Sequence, residues 1–318
     1  MSPKGRPEGE SAPKRVSAEG SPVSPKGRPE GESAPKHISA EGSPVSIAFI
    51  GGGNMATALV GGMVARGCAP SGFAIVEPYA EQRAKLALRF PTAALHERTT
   101  REAIGAATLV VLAVKPQQMR EACVALAPFV GGVRAVLSIA AGTRYADISR
   151  WLGGYARVVR AMPNTPALVG AGIAGVYAPP AVDAAGRAAA EAVLKAAGEV
   201  VWCDDESMLD AITGLSGSGP AYVFYFLEHM ERAAIELGLS AGDARRLACR
   251  TFAGAVQLAE QSGEEPATLR AQVTSKGGTT ERGIAALCEA GVGAALVRAV
   301  QAAADRAREL GDVLGRDG

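Results

Sequence analysis

Short runs of apolar residues alternate with helical stretches along residues 46–205. The runs predict seven strands: SIAFI (46–50), FAIVE (73–77), TLVVLAV (108–114), RAVLSIA (134–140), ARVVRAM (156–162), IAGVYA (173–178) and EVVWCDD (199–205). Continuous apolar runs bounded by turn residues are typical of strands buried on both faces of a parallel sheet. The alternation therefore predicts an α/β fold with an N-terminal Rossmann domain, whose sheet is doubly wound and mainly parallel.

The strand pattern stops after residue 205. The chain then continues in long stretches rich in Ala, Leu, Arg and Glu, which predict helices. Their glycine interruptions are Gly238, Gly263, Gly277, Gly278, Gly291 and Gly293. We therefore expect a Rossmann domain over residues 46–205 and an all-α domain over residues 206–318.

The first 45 residues have a different character. Residues 3–24 recur at 25–46 with only two positions exchanged. The repeated segment is rich in Pro and Gly and contains no aromatic residue, so it buries too little apolar surface to offset the entropy of ordering. We expect residues 1–45 to be a disordered tail, with a partner-binding arm as the alternative.

Composition and charge exclude several classes of protein. Lys and Arg number 33 against 32 Asp and Glu, a formal net charge of +1. Such a chain lacks the positive field that holds nucleic acid or an anionic membrane. The five cysteines show no CxxC spacing, which argues against a zinc site or a disulfide framework. We expect a cytoplasmic protein that binds a small molecule and no metal, nucleic acid or membrane.

A glycine-rich turn follows the first predicted strand. Its residues are Gly51, Gly52, Gly53, Asn54, Met55 and Ala56, a GxGxxA pattern that opens a helix. Glycines allow the tight turn and a close backbone approach to a pyrophosphate, and the helix N-terminus attracts phosphate. The pattern predicts a dinucleotide site, with a purely structural turn as the alternative.

Glu77 ends the second predicted strand. An acidic side chain at this place accepts hydrogen bonds from the adenosine ribose, and its charge repels the 2′-phosphate of NADPH. Arg83, in the next helix, offsets part of that repulsion. The predicted cofactor is therefore NAD(P)H, either NADH or NADPH, with Glu77 favouring NADH. A solvated surface charge is the alternative interpretation of Glu77.

Few residues outside the tail suit general acid–base catalysis. They are two histidines, His96 and His229, and four lysines, Lys85, Lys115, Lys195 and Lys276. A hydroxyacid dehydrogenase needs such a group, whereas an iminium carbon is already electrophilic. The sequence therefore favours a substrate with a C=N bond.

Small and hydroxyl residues precede a predicted helix in the segment TSKGGTTE (274–281). Free N–H groups at a helix N-terminus bind anions. We expect Gly277, Gly278, Thr279 and Thr280 to bind a small acid. A helix cap formed by Thr279 or Thr280 is the alternative.

Two further segments are rich in Gly and Pro. RAMPNTPALVGAG (160–172) follows a predicted strand, so its prolines fix a loop at the carboxyl edge of the sheet, where doubly wound proteins bind ligands. GLSGSGPAYVF (214–224) opens the helical domain and predicts a kinked helix with a close backbone approach. This second segment suits either a ligand contact or a packing or dimer contact.

Six ordered motifs carry a family resemblance. They are IAFIGGGNMA, LAVKPQQM, VLSIAAG, RAMPNTPALVGAG, GLSGSGPAYVF and SKGGTTERGIAAL. Over about residues 46–312 the sequence resembles the pyrroline-5-carboxylate reductases. Members reduce 1-pyrroline-5-carboxylate, a cyclic imine, to L-proline with NAD(P)H, which is the last step of L-proline biosynthesis. The resemblance also implies a helical dimerisation domain and a homodimer or larger ring of dimers, whose sites borrow helices from the partner.

The resemblance assigns roles to individual residues. It implies cofactor contacts at Gly51 to Ala56, at Ala113, Val114, Lys115 and Pro116, and at Met162, Pro163 and Asn164 beside the nicotinamide. It implies that Gly278, Thr279 and Thr280 hold the substrate carboxylate through backbone N–H groups. The Thr280 hydroxyl is the candidate catalytic group, a proton donor to the ring nitrogen.

Lys276, Glu77, Glu265 and Cys288 depart from the family pattern, and two other functions remain open. Lys276 stands where many members have Pro, and Glu77 stands where many have a small polar or basic residue. A 3-hydroxyacid or 6-phosphogluconate-type dehydrogenase would share the layout, but it needs a catalytic Lys early in the helical domain, and the sequence has none between Lys195 and Lys276. A non-catalytic NAD(P)-binding sensor is the other alternative.

Overall fold

A single eight-stranded sheet organises the first half of the chain. The computed structural model describes residues 47–316, so the tail expected over residues 1–45 lies outside the described residues. The strands are β1 (Ile47–Ile50), β2 (Phe73–Val76), β3 (Ala94–His96), β4 (Leu109–Leu112), β5 (Ala135–Ser138), β6 (Val158–Met162), β7 (Gly172–Tyr177) and β8 (Gly198–Cys203). Their order across the sheet is β3-β2-β1-β4-β5-β6-β7-β8.

Strands β1 to β6 pair in parallel, β7 pairs antiparallel with β6, and β8 pairs parallel with β7. All seven predicted strands are present, and the expectation of a mainly parallel Rossmann sheet followed by helices is confirmed. Strand β3 was not predicted. It has only three residues, all half-buried, and therefore lacks the apolar run that marks the other strands.

Helices cover the sheet and form the rest of the described chain. They are α1 (Asn54–Ala65), α2 (Ala80–Arg89), α3 (Arg101–Ile104), α4 (Met119–Leu126), α5 (Tyr145–Trp151), α6 (Ala184–Lys195), α7 (Met208–Ile212), α8 (Gly219–Glu236), α9 (Ala241–Ser262), α10 (Pro266–Gln272), α11 (Thr279–Glu289) and α12 (Val292–Arg316). A π-helical turn, Thr213–Gly217, joins α7 to α8. The breaks between α8 and α12 contain Gly238, Gly263, Gly277, Gly278 and Gly291, as the sequence predicts, but the break predicted at Gly293 is wrong because this residue lies inside α12.

The core lies on both faces of the sheet. On one face, Phe49 and Ile75 pack with Leu59 of α1 and Val193 of α6. On the other face, Val110 packs with residues of α4 and α5. Because the strands are buried from both sides, their carboxyl ends are held at fixed positions along one edge, and that edge carries the predicted nucleotide site.

The helical half is packed differently. Helix α8 contains no buried residue, and the buried residues of α9 are Ala244 and Ala248. Helix α12 packs against the π-helical turn, where a Cβ on Gly214 would lie 2.5 Å from the carbonyl oxygen of Val300. The division into two domains at residue 205 stays a prediction.

Two properties of the described residues bear on the expected partners. No single helix there combines the length and apolar character needed to cross a membrane, and only one bent pair, Thr279–Glu289 with Val292–Gly315, meets those criteria together. Within residues 47–316 there is also no group of three or more His, Cys, Asp and Glu placed to hold a metal ion.

Candidate active site

The carboxyl ends of β1, β2 and β4 bring the glycine turn and two neighbouring loops together. The Gly51 N–H donates to the carbonyl oxygen of Val76 at 2.8 Å, and the Ala113 N–H donates to that of Ile50 at 2.8 Å. The predicted cofactor residues Gly51 to Ala56, Glu77 and Ala113 to Pro116 therefore share one edge of the sheet.

Gly51 and Gly53 meet two different demands in this turn. Gly51 has φ +98°, and a Cβ there would lie 2.6 Å from the carbonyl oxygen of Ala113, so only glycine fits. A Cβ on Gly53 would meet no atom within 4 Å. Gly53 is the N-cap of α1 and makes no side-chain capping bond, which leaves an open backbone surface at the helix N-terminus. This geometry fits a dinucleotide pyrophosphate.

Glu77 lies beneath the glycine turn. Its side chain is only 6% exposed, so the interpretation as a solvated surface charge is wrong. Its Oε2 accepts a hydrogen bond from the Gly52 N–H at 2.9 Å, and its Oε1 accepts one from the Tyr79 N–H at 3.0 Å. On the other side of the same residue, Gln82 Nε2 donates to the Gly52 carbonyl oxygen at 2.6 Å. Glu77 and Gln82 together fix the backbone orientation of the turn.

Arg83 is engaged by the backbone beside Glu77. Its Nη1 donates to the carbonyl oxygens of Glu77 at 2.8 Å and Pro78 at 2.7 Å, and its Nη2 lies 3.5 Å from Glu97 Oε2. These bonds hold the guanidinium group at the loop that follows β2.

The loop after β6 is joined to the π-helical turn. Asn164 Nδ2 donates to the Ser216 carbonyl oxygen at 3.2 Å, and Asn164 Oδ1 accepts from the Ile173 N–H at 3.0 Å. A Cβ on Gly217 would lie 2.5 Å from Cε of Met162. The segments 160–172 and 214–224 thus form one structure, and the close approach predicted at Gly217 is a packing contact.

The same loop also reaches α1. Pro163 and Leu59 of α1 line one narrow apolar crevice. The family resemblance implies that Asn164 lies at the nicotinamide, but it does not indicate the side-chain bonds of Asn164 to Ser216 and Ile173. No periodicity in the sequence could reveal such long-range contacts.

The Gly277–Thr280 segment begins α11, but not with the expected cap. Gly278 is the N-cap, and Thr279 and Thr280 lie in the first helical turn, so the alternative of a threonine cap is wrong. The physical reason is the preceding turn, in which the Gly278 N–H donates to the Ser275 carbonyl oxygen at 3.0 Å. Extended backbone at Gly278 then leads directly into the helix.

Some backbone N–H groups at the start of α11 have a hydrogen-bond acceptor and others have none. The Gly277 N–H donates to Glu281 Oε2 at 2.6 Å, and the Gly278 N–H is taken by Ser275. The N–H groups of Thr279 and Thr280 have no acceptor among the described residues. No hydrogen bond in the described part of the chain joins residues 273–281 to residues 47–205. Within one chain, the predicted substrate segment therefore makes no hydrogen bond to the nucleotide edge of the sheet.

Comparison with known proteins places this architecture in a family. A family model described as pyrroline-5-carboxylate reductase dimerisation matches residues 206–310, and one described as coenzyme F420-dependent NADP oxidoreductase matches residues 46–142. A pyrroline-5-carboxylate reductase from Pseudomonas aeruginosa is 45% identical over 85% of this chain and 98% of its own length. The chain belongs to the pyrroline-5-carboxylate reductase family. The enzyme of that name from Haemophilus influenzae is 37% identical over 83% of this chain and 97% of its own length.

Solved structures of pyrroline-5-carboxylate reductases share the fold. The Coxiella burnetii protein matches with a TM-score of 0.78 at 36% identity, over 84% of this chain and 99% of that one. The Plasmodium falciparum protein, solved with NADP bound, matches with a TM-score of 0.75 at 25% identity, over 84% of this chain and 98% of that one. The family resemblance, the fold class and the expectation of an NAD(P)H-dependent reductase acting on an imine are confirmed, and neither alternative function is favoured.

Proposed function

We propose that this chain reduces 1-pyrroline-5-carboxylate to L-proline with NAD(P)H, the last step of L-proline biosynthesis. The observation that carries the proposal is the shared edge of the sheet. There the glycine turn adjoins the Ala113 to Pro116 loop, and Pro163 of the loop after β6 lines a crevice with Leu59 of α1. The chain that carries these loops is 45% identical to a pyrroline-5-carboxylate reductase. An imine needs little acid–base help, which suits a chain this poor in histidine and lysine.

The chain's own residues hold the cofactor in this proposal. Backbone N–H groups from Gly53 to Met55 bind the pyrophosphate at the open N-terminus of α1. Residues Ala113 to Pro116 line the middle of the dinucleotide site, and Met162, Pro163 and Asn164 line the nicotinamide end. Bound reduced nicotinamide supplies the hydride, and the protein supplies orientation and the exclusion of water.

The substrate segment binds the acid group of the ring. The N–H groups of Thr279 and Thr280 hold the carboxylate, because those of Gly277 and Gly278 already have acceptors. The helix dipole of α11 adds a favourable field for the anion. The Thr280 hydroxyl then stands as proton donor to the ring nitrogen, while the glycines keep the approach free of side chains.

Two copies complete each site in this proposal. The helical half carries the family's dimerisation match, and the substrate segment is not bonded to the nucleotide edge of its own chain. A homodimer brings α11 of one copy to the nucleotide edge of the other, and a larger ring of dimers is the further expectation. The cytoplasmic location stays a prediction.

Cofactor preference follows from the charge beneath the glycine turn. The buried Glu77 carboxylate lies where the adenosine ribose binds in this fold. Its charge repels a 2′-phosphate, and the nearby Arg83 guanidinium is already bonded to two carbonyl oxygens. We therefore infer a preference for NADH over NADPH.

A spectrophotometric assay tests the function. Loss of reduced nicotinamide absorbance is followed with pyrroline-5-carboxylate and NAD(P)H. In a separate reaction, the gain of that absorbance is followed with a 3-hydroxyacid and the oxidised cofactor. Turnover of the imine with formation of proline supports the proposal. Cofactor binding without turnover of either substrate would instead favour the sensor.

The cofactor preference has its own test in the ratio of kcat/KM for NADH to that for NADPH. Glu77→Gln keeps an acceptor for the Gly52 N–H and removes the charge, so we expect the ratio to fall about tenfold. Glu77→Ser should shift it in the same direction. Glu81→Gln, which changes an exposed acid in the neighbouring helix α2, is the control. An unchanged ratio in both Glu77 variants would show that Glu77 does not discriminate between the two cofactors.

A further inference from the structure

Four charged side chains meet where the sheet joins the helical half. Arg160 of β6 is 3% exposed, and its Nη1 donates to Glu206 Oε1 at 2.6 Å. The same Glu206 oxygen accepts from the Tyr145 N–H at 2.6 Å. Arg144 Nη1 donates to Asp210 Oδ2 at 3.0 Å. The cluster therefore balances two positive and two negative charges, and it joins β6 and the start of α5 to the segment that contains α7.

Stability alone is a poor explanation for this cluster. Burial lowers the pKa of Arg160, and the charge of Glu206 acts in the opposite direction. The Arg160 Nε has no hydrogen-bond partner among the described residues. Buried ion pairs often stabilise a fold no better than apolar side chains of similar volume. A better explanation is that the buried ion pairs hold neighbouring segments in one specific arrangement.

The cluster lies at one end of a segment that is attached to the sheet three times. Glu206 bonds to Arg160 at the start of the segment, and Ser216 accepts from Asn164 near its end. Between them, the Ile212 side chain packs against Gly175 of β7. The attachments hold α7 and the π-helical turn along β6 and β7, beside the Met162 side chain.

The same segment supports the last helix. Tyr222 Oη donates to the Gly214 carbonyl oxygen at 3.2 Å and lies 3.4 Å from that of Ala299 in α12. Arg144 Nη2 lies 3.5 Å from the Arg308 carbonyl oxygen, also in α12. Helix α11 in turn packs on α12. The segment therefore contacts α8 and α12 directly, and it reaches α11 through α12.

We propose that Arg160 and Glu206 are positioning residues, whose ion pair sets the place of the π-helical turn against Met162 and Asn164 and so aligns the imine with the reduced nicotinamide. This inference rests on the proposed function. Neither residue is among those that the proposed function places against substrate or cofactor. Loss of the pair should therefore slow the hydride step while leaving cofactor binding intact.

The test is the double variant Arg160→Met/Glu206→Gln, in which the glutamine can still accept from the Tyr145 N–H. We expect kcat to fall at least about tenfold, since small displacements of reacting groups have large effects on rate. The Kd for NADH should change less than about twofold, and the primary deuterium isotope effect with C4-deuterated NADH should rise. Arg134→Met, which breaks the exposed Arg134–Asp183 pair, is the matched control and should leave all three quantities unchanged.

Amide hydrogen exchange in residues 213–217 gives a second readout that needs no substrate. Exchange should become faster in the double variant and not in the control. If the double variant does not fold, Glu206→Gln alone serves, because it keeps the shape of the side chain. Unchanged exchange, or an unchanged kcat and isotope effect, would overturn the positioning role. Absence of turnover in the unmodified enzyme would count against the proposed function only, because exchange would still decide the inference.

Discussion

The two halves of the molecule bury their apolar residues in different ways. In the nucleotide half, every residue of β1, β2, β4 and β5 is buried. In the helical half, α8 buries none of its residues, and Phe224 and Tyr225 remain 64% and 60% exposed. Large exposed apolar surfaces mark sites of protein association. The first half therefore completes its core within one chain, whereas the second half leaves an apolar surface suited to association, in agreement with its match to a dimerisation family.

The sharpest way to break this comparison is to charge one exposed apolar residue in each half. Phe224→Asp should weaken the dimer by roughly 10³-fold, because an important interface residue contributes about 2 kcal/mol and a two-fold interface contains it twice. Light scattering should then show single chains, and kcat/KM should fall with the dimer. Leu88→Asp, at a residue 85% exposed on α2, should change neither quantity. A dimeric, active Phe224→Asp protein would show that the interface lies elsewhere.

The next test separates substrate chemistry in the helical half from cofactor binding in the other half. Thr280→Ala should lower kcat/KM about 10²-fold, the usual effect of losing a proton donor. The Kd for NADH, measured by fluorescence, should stay within about twofold. Thr268→Ala on α10 is a control for a general effect of losing a threonine hydroxyl. If Thr280→Ala keeps its kcat/KM, the hydroxyl does not serve as the donor.

Within the nucleotide half, substitutions of two glycines in one turn should separate effects on fold stability from effects on cofactor affinity. Gly51→Ala should destabilise the fold by about 2–3 kcal/mol, since its positive φ and the Ala113 carbonyl oxygen both oppose a Cβ. Gly53→Ala has open space around the new methyl group and should change the free energy of unfolding by less than about 0.5 kcal/mol. It should instead raise the Kd for NADH about tenfold by keeping the pyrophosphate away from the backbone. Thermal unfolding and cofactor titration of both variants check the contrast.

The smallest expected effect concerns a thiol in the completed core. Burial raises the pKa of Cys123 to about 12, and the side chain has no exposed surface. Because the thiolate is the reactive form, a thiol reagent at pH 8 should leave Cys123 unmodified in the native protein and label it in denaturant. Peptide mass spectrometry measures both. Labelling under native conditions would mean that the nucleotide half opens more readily than its packing implies.

Much of the fold could be predicted because its signals are local. Buried strands read as apolar runs, and the glycine breaks of the helical half mark helix ends in sequence. Strand β3 could not be predicted because a half-buried strand of three residues has no such apolar run. The reversal of direction at β7 also has no local signal, since it depends on how the loop after β6 folds back.

The candidate site was less predictable, since its details depend on contacts between distant residues. The glycine turn could be recognised from its spacing, but the bonds from Glu77 and Gln82 to Gly52 could not. In the same way, Gly278 caps α11 because of a turn that begins at Ser275, although the adjacent threonines are the residue type that usually caps a helix. The pair Arg160 and Glu206 joins residues far apart in sequence and gave no signal at all.

In the proposed cofactor site, the Glu77 carboxylate links the choice between NADH and NADPH to the shape of the glycine turn that binds the cofactor. A replacement by serine to accept the phosphorylated coenzyme also removes the two oxygens that accept from the Gly52 and Tyr79 amides, and a replacement by glutamine leaves only one of them. A change of cofactor preference therefore calls for two coupled substitutions. One removes the negative charge, and the other restores hydrogen-bond acceptors for the amides of the glycine turn.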